Sequence, residues 1–272
     1  MKLVKLTKLK AKNMGIQDLV ISIAPEPIFH IHGFPITNTT VITLITSLIV
    51  IVGSLYLRKS FKIVPKGLQN VIESVLEALL NMVDSVTRDR KQTQKFFPLV
   101  ATIFIFVILI NWIEVVPGLG TIGVKEVHHG KEVVVPFVRS AAADLNVTLA
   151  LAIVSVFFTQ FIGIAFLGTR KYLSKFFVSP FKKPYFIGSF VGILEVISEF
   201  SKVISFSFRL FGNIFAGEAL LLVALFLLPV FFNILPLPFL FLELFVGFVQ
   251  ALVFSMLTLV FLKSATIDHS EH

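Results

Sequence analysis

Five stretches of this 272-residue chain are long and apolar enough to cross a membrane. A helix needs about 20 apolar residues to span a hydrocarbon core of about 30 Å. The five segments are residues 37–57, 97–116, 145–167, 186–228 and 239–262. Hydrophobic residues make up 56% of the chain and the mean hydropathy is +0.92, which exceeds what the core of a soluble domain requires. The sequence therefore predicts an all-α, polytopic membrane protein.

Residues 68–86 carry a different pattern, in which apolar residues recur at helical spacing opposite Glu73, Glu77, Asn81 and Asp84. This pattern is typical of an amphipathic helix on the membrane surface. We predict one membrane domain over residues 37–264, preceded by an arm at 1–36 and followed by a tail at 265–272. The arm resembles the start of a signal peptide, but its apolar part is short and contains Asp18, so a solvated arm is the favoured interpretation.

The distribution of Lys and Arg predicts the orientation of the chain. The 58–95 loop, the 168–185 loop and the C-terminal end hold fourteen of them, whereas the 117–144 loop holds three. Because basic residues collect on the cytoplasmic side, we expect the N-terminus outside and the C-terminus inside. Five lysines between residues 2 and 12 argue the other way, but they lie more than 20 residues before the first span. The net charge of +8 follows from this topology, and we expect no nucleic-acid binding.

The fourth segment is too long for an ordinary span. An uninterrupted helix over residues 186–228 would be about 64 Å long, so it must tilt steeply, bend or run partly along the membrane. A turn containing Pro229, Pro236 and Pro238 then returns the chain into residues 239–262. We predict a long helical hairpin from these two segments.

One face of the fourth segment is polar, within a stripe about 80° wide at 100° per residue. Its members are Glu195, Glu199, Lys202, Arg209 and Asn213. Arg209 cannot release its proton, so it acts only as a fixed positive charge. A charged residue inside a membrane-spanning segment costs free energy, so by default it marks a functional site. No acidic residue lies within one turn of Arg209, so we expect a second protein to supply its carboxylate.

Further polar residues accompany Arg209 in the hairpin. Glu218 lies about half a turn round the helix from Arg209, and Glu243 and Gln250 share a face of the last segment. A single arginine on its own can have the purely structural role of joining helices. Four polar residues in one two-helix hairpin instead favour an ion pathway.

Two sequence motifs carry a family resemblance that runs from about residue 38 to 264. RLFGNIFAGE followed by VQALVFSMLTLVFL closely resembles the a subunit of bacterial F-type ATP synthases, and SAAADLNVTLALA resembles the start of an earlier span in that family. The resemblance implies a proton-channel subunit in the plasma (inner) membrane of a bacterium. It implies as partners a ring of c subunits, the b subunits of the peripheral stalk and a soluble ATPase head. It implies neither a cofactor nor catalysis by the chain alone.

The resemblance also implies roles for particular residues. Arg209 would face a rotor carboxylate, and Asn213, Glu218, Glu243 and Gln250 would line the outer half-channel. Glu195, Glu199 and Lys202 are assigned to the inner half-channel. Some family members carry a histidine at the position of Glu243, so we expect this chain to use a repelling pair of acids, Glu218 and Glu243.

Asp144 and Asn146 are either entrance residues or helix caps, and capping is favoured. The His30, His32, His128 and His129 side chains lack accompanying acidic or cysteine ligands, so we expect no metal site. A secondary transporter is the alternative function, but it should show paired repeats, which the sequence lacks. The sequence also leaves open a purely structural scaffold and a sodium-coupled version of the motor.

Overall fold

The computed structural model describes residues 25–31, 33–62, 64–116, 123–128, 131–136, 139–173, 187–227 and 237–267. Five of its helices are long and apolar enough to cross a membrane. They are α1 (Asn38–Ser60), α3 (Arg90–Val115), α4 (Leu145–Leu167), α6 (Ile187–Leu227) and α7 (Leu237–Ala265). The amphipathic helix α2 spans Leu68–Thr87, and a short helix, α5, spans Thr169–Leu173. The chain is a polytopic all-α membrane protein, as the sequence predicts.

Side-chain caps determine where several helices begin. Asp89 caps α3 by accepting a hydrogen bond from the backbone N–H of Lys91 at 2.9 Å, so this helix begins seven residues before the predicted span. Pro98 lies inside α3. Pro238 lies in the first turn of α7, where the missing N–H is tolerated, so its predicted place in the turn was wrong. Pro229 and Pro236 lie outside the described residues.

Two small β-hairpins, one before α1 and one between α3 and α4, were not predicted. Strands β1 (Pro27–Ile31) and β2 (Phe34–Thr37) pair antiparallel within the predicted arm. Strands β3 (Gly123–His128) and β4 (Lys131–Pro136) pair antiparallel in the connection between α3 and α4. Residues 1–24, with the five lysines and Asp18, lie outside the described part of the chain.

The core lies where α3, α4, α6 and α7 meet. Phe206 of α6 is buried and packs against Phe254 and Phe261 of α7, with ring centroids 4.8 and 5.2 Å apart. Gly247 lets α3 approach α7 closely, since a Cβ there would lie 3.0 Å from the Cβ of Asn111. The Asn111 side chain donates to the Gly247 carbonyl at 3.1 Å. These contacts fix the hairpin of α6 and α7 against the rest of the bundle.

Polar contacts divide the bundle into two ends. At the first, which we call the Asp144 end, the Thr39 hydroxyl at the start of α1 donates to Asp144 Oδ2 at 2.7 Å. At the other, the Lys263 end, Lys263 of α7 donates to the carbonyls of Val86 and Thr87 at the end of α2. Successive spans therefore run in alternate directions between the two ends.

The helix α6 is continuous over 41 residues. At 1.5 Å per residue it is about 61 Å long, roughly twice the thickness of a hydrocarbon core. This agrees with the long segment that the sequence predicts. Arg209 lies near its middle, so both halves of the helix extend far from the arginine.

Candidate ion path along the longest helix

Arg209 lies on the face of α6 that is turned away from the bundle core. Its side chain is exposed, and its Nη2 lies 3.3 Å from the Ser205 hydroxyl one turn before it. Asn213, one turn beyond, is also exposed. Within the described ranges, no carboxylate lies within ion-pair distance of Arg209. The fold thus presents a charged guanidinium on an exposed helix face, beside the exposed ring of Phe208.

A cluster of four charged residues, the Glu218 cluster, lies on the side of α6 toward the Asp144 end. It consists of Glu114, Arg139, Glu218 and Glu243. Arg139 binds Glu218 through two nitrogens, with Nε 2.9 Å from Oε1 and Nη2 3.1 Å from Oε2. The two side chains are only 8% and 15% exposed. A two-pronged pair of this kind also fixes the orientation of the carboxylate.

The other two carboxylates of the Glu218 cluster come from α3 and α7. Glu114 accepts a hydrogen bond from the backbone N–H of Ser140 at 3.0 Å, and its charge interacts with those of Glu218, Glu243 and Arg139. Glu243 is 7% exposed, and its Oε2 is buried without a hydrogen-bond partner among the described residues. Three interacting acids therefore lie in a largely buried site, and one of them, Glu218, is paired with an arginine. Gln250 is half-buried two turns further along α7.

This arrangement confirms that Glu218 and Glu243 repel each other and extends the expected pair. Arg139 forms an ion pair with Glu218, and Glu114 adds a third acid. Sequence reasoning counted Arg139 only toward the orientation and passed over Glu114. The available signal was their position, because both flank the connection that leads into the Asp144 helix cap.

A second cluster, the Glu199 cluster, lies on the half of α6 toward the Lys263 end. It consists of Gln160, Tyr172, Glu199 and Lys202. Lys202 Nζ lies 2.6 Å from Glu199 Oε1, and Gln160 Nε2 lies 2.6 Å from Glu199 Oε2. The Tyr172 hydroxyl donates to the Gln160 side-chain oxygen. Burial, followed by the charges of Glu199 and Glu195, raises the pKa of Tyr172 to about 12.

The predicted polar stripe therefore divides into two parts. Glu199 and Lys202 are covered by α4, α5 and α7, whereas Arg209 and Asn213 remain exposed. Lys202 also lies over the Phe261 ring, 4.8 Å from its centroid. The sequence placed these residues on one helix face but did not identify Gln160 and Tyr172 as their partners.

Asp144 caps α4, as the favoured interpretation held. Its Oδ1 accepts from the backbone N–H of Asn146 at 2.8 Å and from the Asn146 amide at 3.1 Å. Both residues also line a cleft of about 530 Å³ at the Asp144 end, together with Thr37, Thr40 and Thr43. Capping is confirmed, and the entrance role stays a prediction.

Two of the four histidines for which no metal site is expected lie in the hairpins. His30 is in β1 and His128 is in β3, whereas His32 and His129 lie outside the described residues. Among the residues that the structure describes, no group of three or more His, Asp or Glu side chains is arranged to hold a metal ion.

The fold is that of a membrane protein with five apolar helices. Its longest helix carries one charged cluster on each half, with the exposed Arg209 between the two clusters. Comparison with known proteins gives its family. The sequence profile of the ATP synthase A chain matches residues 39–263. The chain belongs to the ATP synthase A chain family.

Three bacterial relatives illustrate the similarity. The chain is 32% identical to ATP synthase subunit a of Moorella thermoacetica over 91% of this chain and 99% of that protein. It is 35% identical to the Campylobacter jejuni subunit a over 84% and 89%, and 33% identical to the Helicobacter pylori subunit a over 90% and 98%. With its five apolar helices, the chain is a multi-pass protein of a bacterial plasma membrane.

Proposed function

We propose that this chain is the proton-conducting stator of the membrane sector of an F-type ATP synthase, with two half-channels that meet at a rotor. The observation that carries the proposal is the position of Arg209. It is exposed near the middle of a helix about 61 Å long, between two charged clusters that lie in opposite halves of that helix.

The exposed face of Arg209 is the rotor contact. A guanidinium in hydrocarbon without a counter-charge is costly, and the described residues supply it with no carboxylate. A ring of c subunits, each with a carboxylate in the middle of the membrane, provides one as each subunit passes. Because Arg209 stays charged at any working pH, it holds the passing carboxylate ionised and blocks direct flow between the half-channels.

The Glu218 cluster belongs to the outer half-channel. Protons enter at the Asp144 end, where Asp144 and Asn146 line the cleft, and pass Glu218, Glu243 and Glu114. Three interacting carboxylates, one of them paired with an arginine, can exchange a proton among themselves without placing a full extra charge in the site. Asn213 and Gln250 bring the path toward the rotor face.

The Glu199 cluster belongs to the inner half-channel at the Lys263 end, together with Glu195. A proton carried round by the ring is released there to the cytoplasm. A unit charge that crosses 100 mV releases about 2.3 kcal/mol, so several protons are needed for one ATP. The b subunits and the soluble ATPase head complete the complex, and the chain has no catalytic role by itself.

The orientation follows from the same proposal. The Asp144 end faces the outside, and the Lys263 end, with the C-terminus, faces the cytoplasm. A sodium-coupled motor would use the same stator, because ion choice depends mainly on the carboxylate site of the ring. ATP synthesis in vesicles with and without sodium distinguishes these two versions.

The test is ATP-driven pumping in inverted vesicles that contain the assembled complex. Arg209→Ala should abolish pumping while the complex still assembles, because Arg209 is exposed and packs against nothing in the core. Arg90→Ala is the matched control, since it removes an exposed arginine at the Lys263 end of α3 and should pump normally. Robust pumping by Arg209→Ala would contradict the proposal. Ion transport by the purified chain alone would instead favour a secondary transporter.

A further inference from the structure

The polar contacts at the Lys263 end form one continuous line across α5, α4 and α6. The Tyr172 hydroxyl donates to Gln160 Oε1, and Gln160 Nε2 donates to Glu199 Oε2 at 2.6 Å. Lys202 Nζ donates to Glu199 Oε1, also at 2.6 Å. Both oxygens of the Glu199 carboxylate are therefore engaged by donors from two different helices.

The packing of α5 holds Tyr172 in this line. Gly168, with φ of 79°, ends α4 and lets the chain turn into α5. Tyr172 is only 2% exposed and lies directly against Gly163. A Cβ at Gly163 would lie 2.5 Å from Tyr172 Cε2 and 3.1 Å from the carbonyl oxygen of Ala265. The Tyr172 ring thus fills a notch in α4 that exists because residue 163 is a glycine.

The direction of the hydrogen bonds determines the charge state of Glu199. If the Gln160 amide were turned over, its oxygen would face the Glu199 carboxylate, and two acceptors would oppose each other. The Tyr172 hydroxyl keeps its proton, since burial and the nearby acids raise its pKa to about 12. A proton on Glu199 would put a donor against either the Lys202 ammonium or the Gln160 amide. Ionised Glu199 beside protonated Lys202 is the state that satisfies every group in the line.

We propose that Gln160 and Tyr172 are positioning residues that hold Glu199 as a fixed counter-charge of Lys202 and so exclude it from proton exchange. The effect of these two residues on ion flow rests on the proposed function, whereas the ionised state of Glu199 does not. Gln160 of α4 and Lys202 of α6 contact Glu199 directly, and the charges of Glu199 and Glu195 both act on Tyr172 of α5. The Phe261 ring of α7 lies against Lys202. Glu199 therefore contributes a constant charge to this end of the path.

The state of Glu199 is testable with a hydrophobic carbodiimide, which modifies protonated carboxyl groups within membranes. The assembled complex is treated at neutral pH, and modification of Glu199 is quantified by peptide mass spectrometry. Gln160→Leu removes a donor to a charged acceptor and should speed modification about tenfold. Tyr172→Phe should produce a smaller rise of about threefold, because it removes only the hydroxyl that orients the Gln160 amide.

The matched control is Thr159→Val. Thr159 is buried beside Gln160, but its hydroxyl bonds the Ser155 carbonyl within its own helix at 2.9 Å. This variant should leave the labelling of Glu199 unchanged. The proposal would be overturned if Glu199 were modified at the same rate in Gln160→Leu, in Tyr172→Phe and in the parent complex.

A transport measurement tests the effect of Gln160 on ion flow separately from the proposed function of the chain. ATP-driven pumping as a function of the pH on the Lys263 side should show a displaced profile in Gln160→Leu and the parental profile in Thr159→Val. If Gln160→Leu only lowered the pumping rate at all pH values without displacing the profile, its effect would be structural. That result would overturn the role of the held Glu199 in ion flow. If Arg209→Ala pumped normally, the proposed function would fail, while the labelling result would still decide whether Glu199 is held.

Discussion

Arg139 and Glu218 are 79 positions apart in the chain, yet their side chains form a two-pronged ion pair at 2.9 and 3.1 Å. The pair joins the connection before α4 to the second half of α6. It lies inside the Glu218 cluster, where the charge of the arginine also acts on Glu114.

We predict that breaking this pair on one side destabilises the protein. Arg139→Gln leaves the Glu218 carboxylate largely buried without its guanidinium, which typically costs about 3–5 kcal/mol. The double variant Arg139→Gln/Glu218→Gln should recover much of that loss. Heat-induced aggregation of the detergent-solubilised chain measures the effect. Arg90→Gln is the control, because its pair with Asp84 is exposed and should contribute less than about 1 kcal/mol. Equal losses from Arg139→Gln and Arg90→Gln would contradict the prediction.

Removing the acids of the Glu218 cluster should slow proton-driven ATP synthesis. Glu218→Gln and Glu243→Gln each take away a group that can accept a proton, and a positioned acid or base typically contributes about 10²–10⁴-fold to a transfer rate. Synthesis by vesicles under an imposed proton gradient measures the loss. Glu77→Gln, on α2 outside both clusters, should retain the parental rate. Parental rates in both cluster variants would reduce these carboxylates to structural groups.

The predicted orientation can be tested by labelling, since the chain contains no cysteine. A single cysteine at His128, in the connection between α3 and α4, should react with an impermeant thiol reagent from outside the cell. One at Arg170, in the exposed start of α5, should react only in inverted vesicles. The opposite pattern would reverse the assignment of the two half-channels.

Gly163 should tolerate no side chain. Gly163→Val places methyl groups where the Tyr172 ring and the Ala265 carbonyl already lie, so we expect a loss of about 1–3 kcal/mol from overpacking and slower pumping. Gly53→Ala is the control, because no atom lies within 4 Å of its added Cβ and alanine favours the helix. An unaffected Gly163→Val variant would show that α5 moves aside without consequence.

Acid should weaken the junction of α2 and α3 through Asp84. The hydrogen bond from the Thr93 hydroxyl, at 2.5 Å, is the main cause that lowers the pKa of Asp84 below its ordinary value of 3.8. Burial opposes it, and Arg90 adds to the lowering. A carboxylate with a depressed pKa stabilises the fold above pH 3.8, and this contribution is lost as the pH falls through the lowered pKa. Asp84→Asn should show a weaker loss of thermal stability on acidification. An identical acid profile in the parent and the variant would contradict this.

The helices were predictable from sequence because a backbone in hydrocarbon must satisfy its hydrogen bonds internally, which makes span length and composition decisive. The segment at 145–167 coincides with α4, and 186–228 differs from α6 by one residue at each end. Periodicity also placed Arg209 and Glu218 on opposite faces. The structure keeps the first exposed and pairs the second with Arg139.

The partners of those charges were not predictable, because helical periodicity shows which residues share a face but not what packs against it. Arg139 lies outside any helix, and Tyr172 belongs to a five-residue helix whose position depends on a notch at Gly163. The two β-hairpins were missed for a related reason, since strands of four to six residues are too short to show a clear period.

The length of α6 has a geometric consequence for the direction of travel. A helix of about 61 Å that stays within a hydrocarbon layer of about 30 Å must incline about 60° from the membrane normal, beyond the usual range of tilts. Glu195 and Glu218 are then separated by about 35 Å along the helix axis, of which about 30 Å is sideways and only about 17 Å is depth. A path that follows such a helix therefore leads mainly sideways within the membrane plane and only secondarily across its depth.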